Sequence, residues 1–212
     1  MKVHTMPQLS PEWFACRAGK FTASHAHEML ATIKSGEAAA RRDLRLTLAV
    51  ERLTGRPSDP GFCSPEMQRG IELEPLAIAA YETRTGNLAT PVGFCEHDDL
   101  AAGCSPDGLV GEDGSVSVKC PKSATHLGYL KAQTVPSDYL AQMRHELWIT
   151  GRQWVDFVSF DDRMPDGLQL WMQRVHRVEA DIAAYELLAR AFLREIDTEV
   201  AAIRAMAEGV TA

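Results

Sequence analysis

The chain has 212 residues, of which 45% are hydrophobic and 24% are charged, and its formal net charge is −7. These values are typical of one globular domain, predicted to span residues 1–212, and they exclude a protein that coats nucleic acid over its whole surface, because phosphate binding needs local cations. An acidic protein with a basic channel stays compatible with this charge, since carboxylates that hold metal ions would themselves add negative charge.

Neither a membrane anchor nor a secretory signal is predicted. No apolar run reaches the roughly 18 residues of a membrane span. The opening residues MKVHTMPQLSPEW lack the apolar core of a signal peptide. We therefore expect a cytoplasmic protein that does not associate with membranes.

Two helices are predicted in the first half of the chain. The segment 36–55 has leucines at near-helical spacing and stops at a glycine, a residue that often ends a helix. A Pro/Gly-rich loop is predicted over residues 54–65. A second helix is expected over 65–86, with Ser64 as its N-cap and a bend near Pro75.

From residue 91 the apolar residues alternate with a period of two, which indicates strands. Three short strands are predicted in PVGFCEHD, LAAGCSPDG and SVSVKC, and the turn GEDG joins the last two as a hairpin. A helix is expected at about 136–149, with Ser137 or Asp138 as its N-cap and Gly151 just past its end.

The last third of the chain adds two strands and a long helix. WVDFVSF is nearly all apolar or β-branched, which predicts a strand covered on both faces, and LQLWMQRVHRV predicts a more exposed strand. The terminal helix carries an apolar stripe made of Ile182, Tyr185, Leu188, Phe192, Ile196, Val200 and Ile203. The order of the elements predicts an α/β fold in which a mixed central β-sheet is flanked by helices.

The five cysteines are Cys16, Cys63, Cys95, Cys104 and Cys120. Their number is odd and no pair has CxxC spacing, so neither a disulfide framework nor a zinc site is predicted. We expect free and mostly buried thiols.

The hairpin CSPDGLVGEDGSVSVKCPKS contains the candidate residues for metal binding and catalysis. Side chains two apart on a strand share a face, so Ser117 and Lys119 emerge together, and Asp107 stands near the start of the facing strand. A Mg²⁺ ion there could take oxygen ligands from Asp107, the side chain at 117 and the carbonyl of Val118. Lys119 would orient or deprotonate an attacking water, or stabilise charge on a phosphate oxygen.

This arrangement follows the signature of a nuclease fold, namely Pro-Asp, a hairpin and then Asp/Glu-x-Lys. The signature is short, Pro-Asp-Gly by itself is a good turn, and a lone lysine is most often a solvated strand residue. The fragment therefore leaves both a nuclease site and an ordinary hairpin open.

Two helical segments add polar groups. Gly70, Glu74, Ala77 and Tyr81 fall on one helix face, so Glu74 projects from a small or apolar stripe and needs a cation or hydrogen-bond donors. An exposed glutamate on a differently rotated helix is the alternative. Later in the chain, Tyr139 and Gln142 lie one helix turn apart. They could donate hydrogen bonds to a phosphate or to metal-bound water. Alternatively, they are ordinary packing and surface residues.

The chain resembles the lambda exonuclease family, also called the YqaJ-like viral recombinase family, over nearly its whole length. The resemblance rests on six landmarks in the right order: WFACRAGKFTASHAHEML, RGIELEP, AGCSPDG, VKCPKS, DYLAQMRHELWITGRQWVDFVSFDDRM and a closing helix.

The resemblance implies a restriction-endonuclease-like core and a Mg²⁺-dependent exonuclease, with Mn²⁺ as a substitute cofactor. It implies degradation of one strand of a double-stranded DNA end from 5′ to 3′, which leaves a 3′ single-stranded tail for phage-type recombination. The implied partners are a single-strand annealing protein and two further copies of the chain in a ring-shaped homotrimer that threads the duplex.

The resemblance also implies roles for individual positions. The residues it assigns to metal binding and catalysis are Asp107, Lys119, Glu74, Gln142 and Tyr139, with the carbonyl of Val118 as a further metal ligand. The residues it assigns to the 5′-phosphate are Arg17, Ser24 and Ser105. Physical chemistry supports such a pocket, because a guanidinium forks onto a phosphate and hydroxyls complete its shell.

The chain departs from the family pattern at Ser117, where the family has Glu. A hydroxyl is a neutral and weak Mg²⁺ ligand, so the exchange removes a full charge from the metal site. In one reading the chain is an active-site variant, made or selected with reduced or no cleavage. In a second, another carboxylate such as Glu112, Asp113 or Glu72 completes the site. In a third, the chain is a catalytically inactive module that binds DNA ends.

Three other classes of protein are alternatives to an exonuclease. A restriction-type endonuclease would share the hairpin chemistry but would cut closed circles. A small-molecule α/β enzyme would be expected to contain a glycine-rich loop that binds a cofactor or phosphate. The sequence contains neither GxGxxG nor GxxxxGK[ST]. A protein-interaction module would use the hydrophobic C-terminal helix as its docking surface.

Overall fold

The computed structural model describes residues 1–58 and 64–210 of the chain. A 3-10 helix at Ala23–His25 precedes the second α-helix. The other elements, in chain order, are β1 (Lys2–His4), α1 (Pro11–Arg17), β2 (Phe21–Thr22), α2 (Ala26–Met29), α3 (Ala39–Thr54), α4 (Pro65–Thr85), β3 (Ala89–Thr90), β4 (Phe94–Glu96), β5 (Ala102–Cys104), β6 (Gly108–Val110), β7 (Gly114–Lys119), α5 (Ser123–Ala132), α6 (Ser137–Thr150), β8 (Trp154–Phe160), β9 (Leu170–His176) and α7 (Glu179–Val210).

The strands form two mixed sheets. One has the order β3-β6-β7-β8-β9, in which β7 and β8 run parallel and the other neighbours antiparallel. The other has the order β1-β4-β5-β2, in which β2 and β5 are the parallel pair. The predicted α/β class with mixed sheet and flanking helices is confirmed, although the predicted strands are divided between two sheets.

Strand β7 separates two hydrophobic clusters. Val116 and Val118 pack with Ala77 and Tyr81 of α4 in the smaller cluster. Ser115 and Ser117 point to the opposite face, because their parallel register partners are Val155 and Phe157 of β8, which lie in the larger cluster with residues of α6 and α7. The alternation read from the sequence therefore places Ser117 on the α6 side of the sheet.

Helix α4 is anchored to the five-stranded sheet through a buried polar contact. The hydroxyl of Tyr81 donates to Asp156 Oδ2 at 2.8 Å, and Arg174 of β9 donates to both oxygens of the same carboxylate at 2.8 Å. Asp156 is fully buried, so these three donors are needed to offset the loss of its hydration. This contact fixes the helix that carries Glu74.

Several predicted helix boundaries are confirmed and one is corrected. Ser64 caps α4 by accepting from Met67 N at 3.1 Å, and α4 continues through Pro75 to Thr85. Helix α6 begins at Ser137 as expected, but its N-cap is Pro136 and no side chain caps it. The extended backbone of Pro136 sets the start of the helix in place of the predicted Ser137 or Asp138 side chain. Of the predicted loop 54–65, residues 59–63 lie outside the described residues.

The terminal helix buries a stripe that differs in part from the predicted one. Ile182, Tyr185, Phe192, Ile196 and Val200 are buried as expected, whereas Leu188 and Ile203 are exposed. Ala189 and Leu193 are buried instead. They follow Tyr185 at one-turn and two-turn spacing, so the contact with α3 and α6 follows the i, i+4, i+8 positions of the helix.

Helices α1, α2 and α5, the edge strands β1 to β3 and the separate strand β6 were not predicted. The sequence of α5, SATHLGYLKA, contains a glycine and a β-branched threonine, which lower helix propensity, and it has no regular apolar stripe. The edge strands are two or three residues long, too short for a period of two to be read.

The four described cysteines are free, with Cys95 and Cys104 buried and Cys16 and Cys120 half-buried. Cys63 lies outside the described residues. Within residues 1–58 and 64–210, no helix has both the length and the apolar character needed to cross a bilayer.

Candidate active site

Asp107 is held at the start of the central hairpin by the strand that returns from it. Its Oδ2 accepts a hydrogen bond from Val118 N at 2.6 Å, and its own backbone N donates to the carbonyl of Val116 at 3.2 Å. Burial raises the pKa of the Asp107 carboxyl, while the charge of Lys119 and the Val118 amide act in the opposite direction. The carboxylate is thus fixed beside the last residues of β7.

Lys119 is the last residue of β7 and extends over an aromatic ring of α6. Its Nζ lies 5.2 Å from the centroid of the Tyr139 ring, within the range of a cation–π contact. The ring of Tyr139 itself packs on Phe157 with a centroid distance of 5.3 Å. Tyr139 therefore positions the ammonium group as well as closing the core beneath it.

Glu74 approaches the same space from α4. It is half-buried on a helix face whose other residues, Ala77 and Tyr81, are fully buried. The pKa of Glu74 is raised to about 7, first by burial and then by the negative charge of Asp107, and Lys119 lowers it. The three predicted site residues Glu74, Asp107 and Lys119 are therefore brought into one electrostatic environment.

Helix α6 contributes Gln142 and a residue that the sequence reasoning missed, Glu146. Gln142 Nε2 donates to Glu146 Oε1 at 3.0 Å. Glu146 is 1% exposed, and its pKa is raised to about 7 by burial and by Asp107, while Gln142 and Lys119 lower it. Its position four residues after Gln142, on the same helix face, was the available signal.

Ser117 faces the α6 side of β7, because its register partner Phe157 lies in the larger cluster. Its side chain is 1% exposed, and its Oγ has no hydrogen-bond partner. The carboxylates considered as replacements for the missing Glu point elsewhere. Glu112 and Asp113 are exposed in the hairpin turn, and Glu72 is exposed on α4, where it accepts from Gln68 at 2.9 Å.

The donor set suits a hard divalent cation. It consists of carboxylate, hydroxyl and carbonyl oxygens, which Mg²⁺ prefers, and two of its buried oxygens, Ser117 Oγ and Glu146 Oε2, have no partner. The acidic side chains of the site are spread out. Among residues 1–58 and 64–210, three potential ligand atoms lie within 4.8 Å of one another only at a different place, formed by His4, Cys16 and Glu96. Mg²⁺ commonly keeps several waters and needs only one or two carboxylates, so a spread site fits it.

A second polar cluster is built around Arg17, at the end of α1. Its Nη1 donates to Ser105 Oγ at 3.3 Å and its Nη2 to Thr22 Oγ1 at 3.5 Å. Thr22 Oγ1 is in turn 3.1 Å from Ser24 Oγ. The three residues predicted to bind the 5′-phosphate thus meet through Thr22, which the sequence reasoning did not single out.

The guanidinium of Arg17 is stacked and partly desolvated. Its Cζ lies 4.0 Å from the centroid of the Trp13 ring, and burial lowers the pKa of Arg17 to about 10. Trp13 Nε1 also donates to Ser105 Oγ at 3.0 Å, which orients that hydroxyl. Arg17 borders a cleft of about 580 Å³ that is lined as well by Lys20, Thr22 and His25.

The sequence matches the family model of the YqaJ-like viral recombinase domain over residues 12–153. The chain belongs to the YqaJ-like viral recombinase family. The matched segment contains every residue of the two polar clusters, from Arg17 to Glu146. A comparison with curated proteins gave no match.

Solved structures agree with this membership. The alkaline exonuclease LHK-Exo from Laribacter hongkongensis, solved in complex with dAMP, is 40% identical over 95% of this chain and 100% of its own, with a TM-score of 0.88. A second structure of LHK-Exo gives a TM-score of 0.86 at the same identity and coverage. A phage-related exonuclease from Haemophilus somnus 129PT is 17% identical over 87% of this chain and 96% of its own, with a TM-score of 0.65, and shares the fold.

These likenesses confirm the restriction-endonuclease-like fold expected from the sequence. As a YqaJ-like recombinase, the chain is a member of a family of recombination nucleases.

Proposed function

We propose that this chain is a metal-dependent exonuclease that acts on double-stranded DNA ends, degrades one strand from 5′ to 3′ and leaves 3′ single-stranded tails for phage-type recombination. The observation that carries the proposal is the convergence of Asp107, Lys119 and Glu74 at the end of β7, in a chain that is 40% identical to an alkaline exonuclease solved with dAMP.

The cofactor of this reaction is proposed to be Mg²⁺, with Mn²⁺ as a substitute. Asp107, the carbonyl of Val118, Glu74 and the side chain at position 117 would hold it. When bound, a divalent ion neutralises charge on the phosphate and makes a bound water a better nucleophile. The raised pKa of Glu74, about 7, supports this assignment, because a crowded pair of carboxylates gains from a cation between them.

Lys119, Gln142 and Tyr139 are proposed to serve the reacting groups. Lys119 would orient the attacking water and stabilise negative charge as water adds to phosphorus and the bond to the 3′-oxygen of the departing nucleotide breaks. The Tyr139 ring would keep the ammonium in place. The amide of Gln142, held by Glu146 at 3.0 Å, would donate to the phosphate or to water.

The cluster of Arg17, Ser105 and Ser24 is proposed to bind the 5′-phosphate of the strand being degraded. The Arg17 guanidinium lies beside the hydroxyls of Ser105 and Thr22. A guanidinium and neighbouring hydroxyls are the hydrogen-bond donors that suit a phosphate. Binding the terminal phosphate would select DNA ends over internal sites without reading bases.

The proposed partners are a single-strand annealing protein, which would coat the 3′ tail, and two further copies of the chain in a homotrimer. A recombination nuclease works where its DNA is, so a cytoplasmic location is part of the proposal.

A second candidate is a catalytically inactive module that binds DNA ends for a recombination partner. Ser117 favours it, because the position where the family has a metal-binding Glu carries a neutral hydroxyl. An active-site variant with reduced cleavage is the intermediate case.

The experiment that tests the proposal compares a linear duplex carrying 5′-phosphates with a closed circle of the same sequence. In Mg²⁺ the linear DNA is expected to lose one strand from each 5′ end, while the circle and an EDTA control stay intact. Cutting of the circle would indicate an endonuclease. Binding of the linear ends without any degradation would favour the inactive module.

A further inference from the structure

At the strand position where the family pattern has a carboxylate, this chain has Ser117, a buried residue whose hydroxyl makes no hydrogen bond. Ser117 Oγ is enclosed on the α6 side of β7 and has no partner, although buried hydroxyls normally find one. Its register partner Phe157 packs against Tyr139 of α6. A group that reaches this hydroxyl from within the protein must therefore come from the α6 side.

Glu146 is the buried carboxylate that α6 presents. It is 1% exposed, one of its oxygens accepts from Gln142, and the other has no hydrogen-bond partner. A carboxylate with an unpaired oxygen is costly to bury unless a cation or a proton accompanies it. No ion pair compensates Glu146 in the part of the chain that the structure describes.

Glu146 also shares its surroundings with the two motif residues. The negative charge of Asp107 raises the pKa of Glu146 and the positive charge of Lys119 lowers it, as both do for Glu74. The charges of both motif residues therefore act on Glu146, as they act on Glu74.

We propose that Glu146, projecting from α6, supplies the metal-binding carboxylate that the strand lacks at Ser117. The inference rests on the proposed function and answers the question that Ser117 raises for it. A serine on the strand takes up less volume than a glutamate and leaves room for a carboxylate from the facing helix. The site then keeps its charge, although the carboxylate is carried by another element.

The competing account is that Glu146 is a structural acid whose role ends with its hydrogen bond to Gln142. The two accounts differ in what happens to metal binding when the charge of Glu146 is removed and its shape is kept. Glu146→Gln makes this change. Asp138→Asn is the matched control, since Asp138 is an exposed carboxylate on the same helix.

Mn²⁺ is the probe, titrated into the full-length protein without DNA and followed by the signal of the free ion in electron paramagnetic resonance. Glu146→Gln is expected to weaken Mn²⁺ binding by about 10-fold or more, because a charged ligand is lost. It should slow degradation of linear duplex by about 10²–10³-fold. Asp138→Asn should change neither. Wild-type Mn²⁺ binding in Glu146→Gln would overturn the proposal.

Ser117→Glu provides a second test that does not depend on how Glu146→Gln folds. If Glu146 already supplies the carboxylate, a second one adds a like charge to a filled site, and degradation should rise by less than about 10-fold. A gain of about 10²-fold or more would mean that the wild-type site is incomplete and would overturn the proposal. In the Glu146→Gln background, Ser117→Glu should restore both Mn²⁺ binding and degradation, and a folded double variant without recovery would also overturn it.

These measurements separate the failure of the inference from that of the proposed function. Mn²⁺ binding that depends on both Asp107 and Glu146, in a protein that degrades no DNA, would support the inference and contradict the nuclease. Degradation that is the same in wild type and Glu146→Gln would support the nuclease and contradict the inference.

Discussion

The carboxylate of Asp107 accepts a hydrogen bond from the backbone amide of Val118 at 2.6 Å, which ties the residue before β6 to the residue before Lys119. Asp107→Asn keeps an oxygen for this bond and removes the charge. We expect metal-dependent degradation of linear duplex to fall by about 10³-fold, since a metal ion contributes several kcal/mol to such reactions. The midpoint of thermal unfolding in EDTA should not fall, because burial disfavours the Asp107 charge. Unchanged degradation would remove Asp107 from the site.

Lys119→Met tests the role of the ammonium group. Methionine keeps an unbranched apolar side chain for the contact with the Tyr139 ring, so the fold should persist. Degradation should slow by about 10²–10⁴-fold, the usual contribution of a general acid or base. The measurement is single-turnover degradation at saturating DNA. A change confined to DNA binding would make Lys119 a binding residue.

Arg17→Ala tests the 5′-phosphate cluster. The wild type is expected to bind a 5′-phosphorylated duplex end more tightly than a 5′-hydroxyl end, and the variant should lose about 10–10²-fold of that preference. Arg17→Lys keeps the charge but not the two-pronged donor, so an intermediate preference is expected. Arg42→Ala, an exposed arginine paired with Asp43, is the matched control. Equal binding of both ends by the wild type would contradict the assignment.

The stability of the metal-free protein should depend on pH through Glu146. Its folded pKa of about 7 lies above the ordinary value of 4.5, so between these values the folded state binds more protons than the unfolded state. The free energy of unfolding therefore decreases as pH rises through this window, and the stabilisation is fully present only below about 4.5. Glu74 has a similarly raised pKa of about 7 and contributes in the same direction, so Glu146→Gln should reduce this dependence without abolishing it. At pH 8 in EDTA, Glu146→Gln should stabilise the fold by up to about 3 kcal/mol.

Urea unfolding in EDTA at pH 5 and pH 8 measures this effect, with Asp138→Asn as the control that should track the wild type. A Glu146→Gln protein that is less stable than the wild type at pH 8 would show that the hydrogen bond to Gln142 outweighs the burial of the charge.

The contact of Arg174 with Asp156 predicts a purely structural effect. Arg174→Ala leaves a fully buried carboxylate with Tyr81 as its remaining side-chain donor. We expect a loss of about 2–3 kcal/mol in the free energy of unfolding, less than for a wholly buried pair, because Arg174 is partly exposed. Tyr81→Phe removes one donor while Arg174 stays, so about 1 kcal/mol is expected. Urea unfolding compares the two variants, and an equal loss in both would contradict the ranking.

The local parts of the fold were predictable because they depend on residues near one another in the chain. The alternation in SVSVK correctly predicted that Val116 and Val118 share one face of β7 and that Ser117 and Lys119 share the other. The cap at Ser64 and the end of α6 before Gly151 follow from local backbone chemistry in the same way. The α7 stripe failed at Leu188, where packing against two other helices selects the buried face.

The sequence by itself determined the longer elements, namely helices α3, α4, α6 and α7 and strands β7, β8 and β9, together with the order of the motifs and the chemical gap at Ser117. Periodicity and residue type act over a few positions, so they can be read without the fold. Only the tertiary structure decided that Arg17 meets Ser105, 88 residues away, and that Glu146 of α6 faces the same charges as Asp107 and Glu74. The physical reason is that such contacts depend on how sheets and helices pack, and a half-turn rotation of α6 about its own axis would have turned the Glu146 carboxylate away from the site.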